Sequence, residues 1–378
     1  MKIKHLVFFV NPMSYGTIAK YDKSLIDNIP NANIYYFGHK KNPYYSELNN
    51  FFPIYNYGEG AQWKKGISYT FSHITLLINI ILKRPKIVHF QWFKVYRLDY
   101  LLIKIIKIFK CKVVFTAHNT LPHDSGAKYF EWFKKIYSVV DLIIVHSDNT
   151  KEELKLDFSV HEDKMATVNH GLFDYNDSYN ADRMDSIKQK FIDSLALKDK
   201  TVFSLVGLVS AYKGIDLVID AWKSFFAADD SIHLFVAGKG EENRLNEIEG
   251  LSNTTILNYS LSDEEFFAIL NLSDYLLLPY RKISQSGVLL TALNLEKRVI
   301  VSDEGGLTDP FKYGNIGYIM EETNHIGLRD SILLALDNKS NYPSEHTWKS
   351  IKQAYSWEKI GGQTYDIYRR LMTNYTLG

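Results

Sequence analysis

The sequence predicts an α/β protein built from two doubly wound units, and three observations carry that expectation. Short apolar runs alternate with longer amphipathic segments along almost the whole chain. The apolar runs end in polar residues, as parallel strands do where they leave a sheet that is covered on both faces. The alternation lapses between Asn176 and Lys200 and restarts at Thr201. A length of 378 residues suits roughly two domains, each able to bury its own core.

In order, "HLVFFV" near the N-terminus, Ile87–Phe93, Lys112–Asn119, Asp141–Ser147 and Met165–Gly171 read as strands. Tyr96–Lys110 and Lys128–Val139 have helix length and fall between them. Ligands of such sheets bind beyond the C-terminal strand ends, which directs attention to Asn11, Gln91, His118, Asn119, His146 and His170. Asn176–Lys200 is polar and reads as a linker followed by a surface helix. A second set of strands follows: Thr201–Gly207, Ile232–Gly238, Thr254–Tyr259, Tyr275–Tyr280, Arg298–Asp303 and Gly317–Met320. The segment "GGQTYDIYRRLM" forms a last helix.

A 46% hydrophobic and 23% charged composition is that of an ordinary globular chain. The formal charge of +1 conceals an imbalance. Residues 1–180 hold 23 Lys+Arg against 16 Asp+Glu, which leaves 44−23 = 21 against 43−16 = 27 for the rest. A basic first half points to an anionic surface, phospholipid or nucleic acid, met by that half. Lys104, Lys107, Lys110 and Lys112 recur at near-helical spacing on an aliphatic background. That pattern suits a helix lying on anionic lipid, and equally an ordinary covering helix with its lysines in water. Aliphatic neighbours offer nothing for bases to stack on, which argues against nucleic acid.

Cys111 is the single cysteine, so no internal disulfide forms and a reducing cytoplasm is expected. The opening apolar run, Leu6 to Val10, is too short for a signal-peptide core. Ile74–Leu82 and Leu101–Phe109 are about half a membrane span each. The expected location is therefore cytoplasmic, with peripheral contact at the inner face of the membrane.

"ISQSGVLLTAL", Ile283 to Leu293, sets a small-residue turn between the strand "YLLLPY" and a helix. Such a turn makes a tight connection, or it presents free helix N–H groups to an anion. In "VGLVSAYKGIDLVIDAW", Lys213 opens a helix six residues after Gly207 ends a strand. It is either a solvent-facing lysine or a point charge for phosphate.

Taken together, these stretches resemble the family 4 glycosyltransferases of the GT-B fold. "GLVSAYKGIDLVIDAW" is similar to that family's phosphate motif, and "LFVAGKG" to its next strand and glycine turn. "ILNYSLSDEEFFAILNLSDYLLLPY" resembles the base-binding loop and the strand entering the donor site, and "SQSGVLLTALNLEKRVIVSDEGGLTD" the donor helix and the turn beyond it. "IVHFQW", "TAHNTLPHD", "DLIIVHS" and "VNHG" are looser matches in the first half, and "YSWEKI" resembles the segment that carries the final helix back to the first domain.

The resemblance implies two Rossmann-like domains facing across a cleft: residues 1–182 with 356–378 for the acceptor, and 183–355 for a nucleotide-sugar donor. It implies donor contacts from Gly16, Gly207, Lys213, Tyr259, Arg281, Ser286, Gly287, Val288 and Thr291. His118 would meet the donor sugar, and His118, Lys213 and Arg281 would serve catalysis. Gln91, His123 and Asp124 would face the acceptor, the last two also being candidates for a general base.

Two departures stand out. Leu208 follows Gly207 where the family has an arginine, and Ile283 and Thr291 occupy the positions of its paired glutamates. Arg281 is the nearby cation suited to replace the missing charge, and Thr291 keeps a hydroxyl.

The implied activity is transfer of a hexose-type sugar, with retention favoured, from a nucleotide diphosphate to a glycan or lipid-linked acceptor. Surface polysaccharide or glycoconjugate synthesis is the implied setting. Protein cations would replace a metal, with no further cofactor. The alternatives are a catalytically silent GT-B binding protein and a GT-B sugar-nucleotide epimerase.

Overall fold

The computed structural model describes residues 5–57, 62–122, 126–173, 179–240 and 243–373. The chain divides into two units, Met1–Gly171 with Tyr355–Gly378, and Leu172–Ala354.

The first unit runs β1 (His5–Asn11), α1 (Thr17–Asn28), β2 (Ala32–His39), β3 (Phe51–Tyr55), α2 (Gln62–Lys83), β4 (Ile87–Phe90), α3 (Tyr96–Ile108), β5 (Lys112–Ala117), α4 (Gly126–Val139), β6 (Leu142–Val145), α5 (Asp148–Phe158) and β7 (Met165–Thr167). Its seven strands are parallel in the order β3-β2-β1-β4-β5-β6-β7. The order reverses between β1 and β4, which opens the crevice where a doubly wound sheet places its ligand. The expected strands are all present. β2 and β3 are additional, and their Asn, Tyr and Pro content hides them from a search for aliphatic runs.

The second unit runs α6 (Ala181–Leu195), β8 (Thr201–Val206), α7 (Ile215–Ala221), β9 (Ile232–Ala237), β10 (Thr254–Leu257), α8 (Asp263–Leu272), β11 (Tyr275–Leu278), α9 (Gly287–Asn294), β12 (Arg298–Val301), β13 (Gly317–Ile319), α10 (His325–Asp337) and α11 (Glu345–Ala354). Its six parallel strands lie in the order β10-β9-β8-β11-β12-β13, with the reversal between β8 and β11. Every residue of β8, β9, β11 and β12 is buried, so these strands read as mainly apolar runs, broken only by Thr201, Ser204, His233 and Arg298, and not as alternating ones.

The boundary expected after residue 182 falls earlier, after Gly171. Phe173 is tied to the second unit because Asn294 Nδ2 donates to its carbonyl at 3.1 Å. The expected surface helix is α6, which packs on α8.

The last helix, α12 (Trp357–Thr373), returns to the first unit and packs on α1. Tyr368 Oη lies 2.6 Å from His89 Nδ1 in β4. Two adjacent glycines of α12 separate packing from solvent exposure. A Cβ at Gly361 would meet the Asn28 carbonyl oxygen at 2.0 Å, whereas one at Gly362 meets nothing within 4 Å. Gly361→Ala is expected to lower the melting temperature by several degrees, since overpacking costs about 1–3 kcal/mol. Gly362→Ala should be neutral or stabilising by up to about 1 kcal/mol. Equal melting temperatures for the two variants would refute this close approach.

Candidate active site

Two groups of polar residues gather at carboxyl strand ends, one in each unit. In the second unit, β8 delivers Gly207 at φ 99 to the mouth of the crevice. A Cβ there would stand 3.0 Å from Lys213 Nζ and 3.4 Å from Val288 Cγ2, so glycine lets the backbone, the ammonium and the start of α9 converge. Gly238, at the end of β9, adopts φ 136 because a Cβ would lie 1.9 Å from the Gly207 carbonyl oxygen.

Lys213 ends the short 3₁₀ turn Ala211–Lys213 and is 8% exposed. Its Nζ sits 5.4 Å from the centre of the Tyr280 ring. Burial pushes its pKa down to about 8, and no carboxylate among the described residues offsets that shift. Nearby, Ser210 Oγ and Tyr280 Oη are buried without a hydrogen-bond partner of good geometry among the described residues.

α9 begins where the sequence predicts. Ser286 is its N-cap, with Oγ accepting from Leu289 N at 3.2 Å, while Leu290 N donates to the Ser286 carbonyl at 3.1 Å. The Leu290 bond is the first of the helix ladder, so the cap accounts for one of the four N–H groups that a helix start leaves unsatisfied. Gly287 and Val288 carry two of the others, and the space over Gly287 is open, with no atom within 4 Å of the point where a Cβ would stand. At the C-terminal end of β10, Tyr259 is fixed by a 2.8 Å bond from its hydroxyl to Glu265 Oε1. Glu265 Oε2 in turn accepts from Ser262 N to close the capping box of α8.

Two residues expected at the donor are engaged within their own unit. The Arg281 guanidinium, expected to meet phosphate, is spread on Asp216 instead, with bonds of 2.6 and 2.5 Å to its two oxygens and 2.8 Å to the Ala211 carbonyl. Its charge is matched locally, and the Asp216 carboxyl is held below the usual range by that bond. Arg281 therefore fastens the turn that carries Lys213. The Thr291 hydroxyl is buried and donates to the Gly287 carbonyl at 2.8 Å, inside its own helix. Leu208 is 55% exposed, so nothing at that position contributes charge.

Sequence reasoning misses Glu304. It precedes Gly305, whose Cβ would lie 1.8 Å from the Ile283 carbonyl oxygen, and burial raises its carboxyl pKa. The signal is the carboxylate in "SDEGG", next to the loop that lacks the family's first glutamate.

In the first unit, Gly16 stands before α1 at φ 59 with open space around it, and no side chain caps the helix. Beyond the sheet, strand ends bring together His118, His146 and His170, and His89, inside β4, joins them through Gln91. His118 Nε2 is 3.0 Å from Gln91 Oε1, and its Nδ1 is 3.3 Å from His146 Nε2. The His118 ring lies parallel to Trp92 at 5.1 Å, and His146 Nδ1 donates to the Val168 carbonyl at 2.8 Å. Tyr21 of α1 meets the rings of His118, His146 and His170.

Gln91, expected to face an acceptor, is fully buried and committed to His118, His89 and Thr116. It positions the histidine rather than reaching a ligand. His123 and Asp124 lie outside the described residues.

Burial drives these imidazoles toward the neutral form: His146 to about 4, His89 and His170 to about 3, and His118 well below its ordinary value. A neutral His118 acts near pH 7 as a hydrogen-bonding group and not as an acid. The unfolded chain takes up protons near pH 6.5, before the folded unit does. The histidines' contribution to stability is therefore complete above pH 6.5 and is lost as pH falls toward 4, while buried Asp22, raised to about 7, acts in the opposite sense. Denaturant titrations between pH 7 and 5 should show a loss approaching about 1.4 kcal/mol per pH unit for each such histidine. His146→Asn should flatten the slope by about one such increment; an unchanged slope would show that the ring titrates normally.

The comparisons with known proteins agree with this fold. The family model described as "Glycosyl transferases group 1" matches residues 186–357, and "Glycosyltransferase Family 4" matches residues 38–172. An uncharacterized glycosyltransferase of Methanocaldococcus jannaschii is 23% identical over 279 residues, covering 68% of this chain and 69% of that protein. The crystal structure of Anabaena HepE in complex with UDP superposes with a TM-score of 0.69 at 11% identity, covering 97% of this chain and 100% of that one. HepE was also crystallised with UDP-glucose, where the TM-score is 0.61 at 12% identity, over 98% of this chain and 99% of that one. Sucrose-phosphate synthase from Thermosynechococcus elongatus gives a TM-score of 0.67 at 14% identity, over 98% of this chain and 100% of that one. The two family matches between them span most of the chain, one in each unit's part of the sequence, and the protein belongs to the group 1, family 4-like glycosyltransferases of the GT-B fold.

Proposed function

We propose that this glycosyltransferase takes a hexose-type sugar from a nucleotide diphosphate and passes it to a glycan or lipid-linked acceptor, with retention, in surface polysaccharide or glycoconjugate synthesis. The observation that carries the donor is Lys213, a buried ammonium with no counter-ion among the described residues, beside the open start of α9. Holding a cation there costs the empty protein roughly 3 kcal/mol, the free energy of a shift from 10.5 to about 8. A diphosphate offsets that cost and also receives the N–H groups of Gly287 and Val288. As the sugar–oxygen bond breaks, charge gathers on the departing phosphate, and a cation already in place stabilises it without rearrangement. Tyr259 offers its exposed ring to a base. The UDP and UDP-glucose complexes of HepE support a donor of this class.

Titration calorimetry with UDP and with UDP-sugars tests the reading directly. Lys213→Met is expected to weaken UDP binding about ten- to hundred-fold, the value of a lost charge-assisted hydrogen bond, while leaving the melting temperature equal or higher. Wild-type affinity should decline as pH rises through about 8, where the ammonium deprotonates. A variant that binds UDP as tightly as wild type would sink the assignment.

Gly287→Val should abolish UDP binding with little change in melting temperature, since no protein atom lies within 4 Å of the added carbon. Intact affinity with lost stability would place Gly287 in a packed core instead.

The silent-protein reading draws on Ile283, Thr291 and the occupied fork of Arg281. Tight UDP binding without either transfer or hydrolysis of any UDP-sugar would favour it.

A further inference from the structure

The first unit carries a surface that the donor chemistry does not use. α2 is apolar on two sides. Tyr69, Leu76 and Ile80 enter the core. Trp63, Ile67, Phe71, Ile74, Ile78 and Leu82 line the opposite side at spacings of three and four, all exposed, with Phe71 at 65% and Leu82 at 75%. An exposed stripe running the length of a 22-residue helix is larger than the scattered apolar residues of ordinary surfaces. α3 packs beside α2 and continues the surface with Leu101, Ile105 and Ile108, the last 75% exposed.

Charge on this surface is mostly of one sign, with Asp141 pairing Lys107 and Lys112. Residues 62–112 contain eleven Lys and Arg against one acid, Asp99. Asp99 is buried and bonded to Tyr69 and His73, so it does not oppose the field outside.

At the C-terminal ends of α2 and α3 lies a cavity of about 420 Å³. Arg84, Lys86, Lys110 and Lys112 surround its apolar floor of Phe109 and Leu371. Lys112 is 3.6 Å from Asp141, whereas the other three cations have no ion pair among the described residues. Cations over an apolar floor, continuous with an apolar stripe, fit a ligand that is anionic at one end and hydrocarbon at the other. Among the described residues no helix is long and apolar enough to cross a membrane, so the fitting geometry is a helix lying in the interface.

We propose that α2 and α3 dock the first unit on an anionic phospholipid bilayer, with the aliphatic and aromatic stripe in the acyl boundary and one lipid phosphate in the cavity of Arg84, Lys86 and Lys110. This surface is independent of the donor reading and stands or falls by itself.

The test is co-sedimentation of the full chain with vesicles of equimolar phosphatidylserine and phosphatidylcholine, and with phosphatidylcholine alone. Partition to the anionic vesicles should be at least about ten-fold higher and should fall in high salt, because each cation near the surface multiplies partition by roughly five. Phe71→Ser/Ile78→Ser should reduce binding to anionic vesicles about ten-fold or more. Arg84→Gln/Lys110→Gln should reduce it roughly twenty-fold. Hydrogen exchange of the wild-type protein gives a readout that needs no variant: anionic vesicles should protect residues 62–84 and 101–112 selectively. A wild-type protein that stays in the supernatant, variants that bind unchanged, or protection elsewhere would overturn the proposal. So would a dimer in light scattering that Phe71→Ser dissociates, which would make this surface a contact between copies.

Discussion

Strands buried on both faces leave little room for polar side chains, and the burial of β8, β9, β11 and β12 directs most such groups to one exit. They collect where the chain leaves the sheet. Parallel connectivity sends all the strands of a unit out on the same edge, so residues far apart in sequence meet there. Gly207, Lys213 and Val288 converge by this route, as do His118, His146 and His170. In the second unit the edge receives a cation, and in the first it receives rings held neutral.

Within the second unit, two cations divide the work by their surroundings. Arg281 keeps its charge easily, with both oxygens of Asp216 in its fork, and so fixes a loop. Lys213 keeps its charge against desolvation that acts unopposed. A group strained in the empty protein is the one that gains most from an incoming anion. Exchanging the two roles would give a flexible turn and a satisfied cation, with little left to bind phosphate.

Much of this is legible in the residues. Aliphatic runs identify β1, β4–β6 and most strands of the second unit, and Ser286-Gly287 marks the start of α9 by its capping chemistry. β2 and β3 escape because tyrosine, asparagine and proline stand among the aliphatic residues that mark a buried strand. At the site, Lys213 and Gly287 are local in character, each set by its own turn. Arg281 misleads because its partner lies 65 residues away, and nothing near it in sequence announces Asp216. The histidine group needs four strand ends in register before it exists. The exposed side of α2 is hidden for a different reason: apolarity is visible in sequence, but which side stays uncovered is decided by packing.

The return of α12 to the first unit has a consequence for biosynthesis. His89 and Tyr368 are bonded across 279 residues, and the α1 surface is covered by a helix that is translated after the whole second unit. While the ribosome makes Leu172–Ala354, the first sheet is present with that side bare. The second unit is contiguous in the chain and is free to complete its core first. The first unit must wait, partly assembled, for its last element. The interval is set by elongation speed, which at about 5–20 residues per second makes it tens of seconds. Selection on the α1 side of the sheet therefore acts on a transient nascent chain as well as on the finished protein.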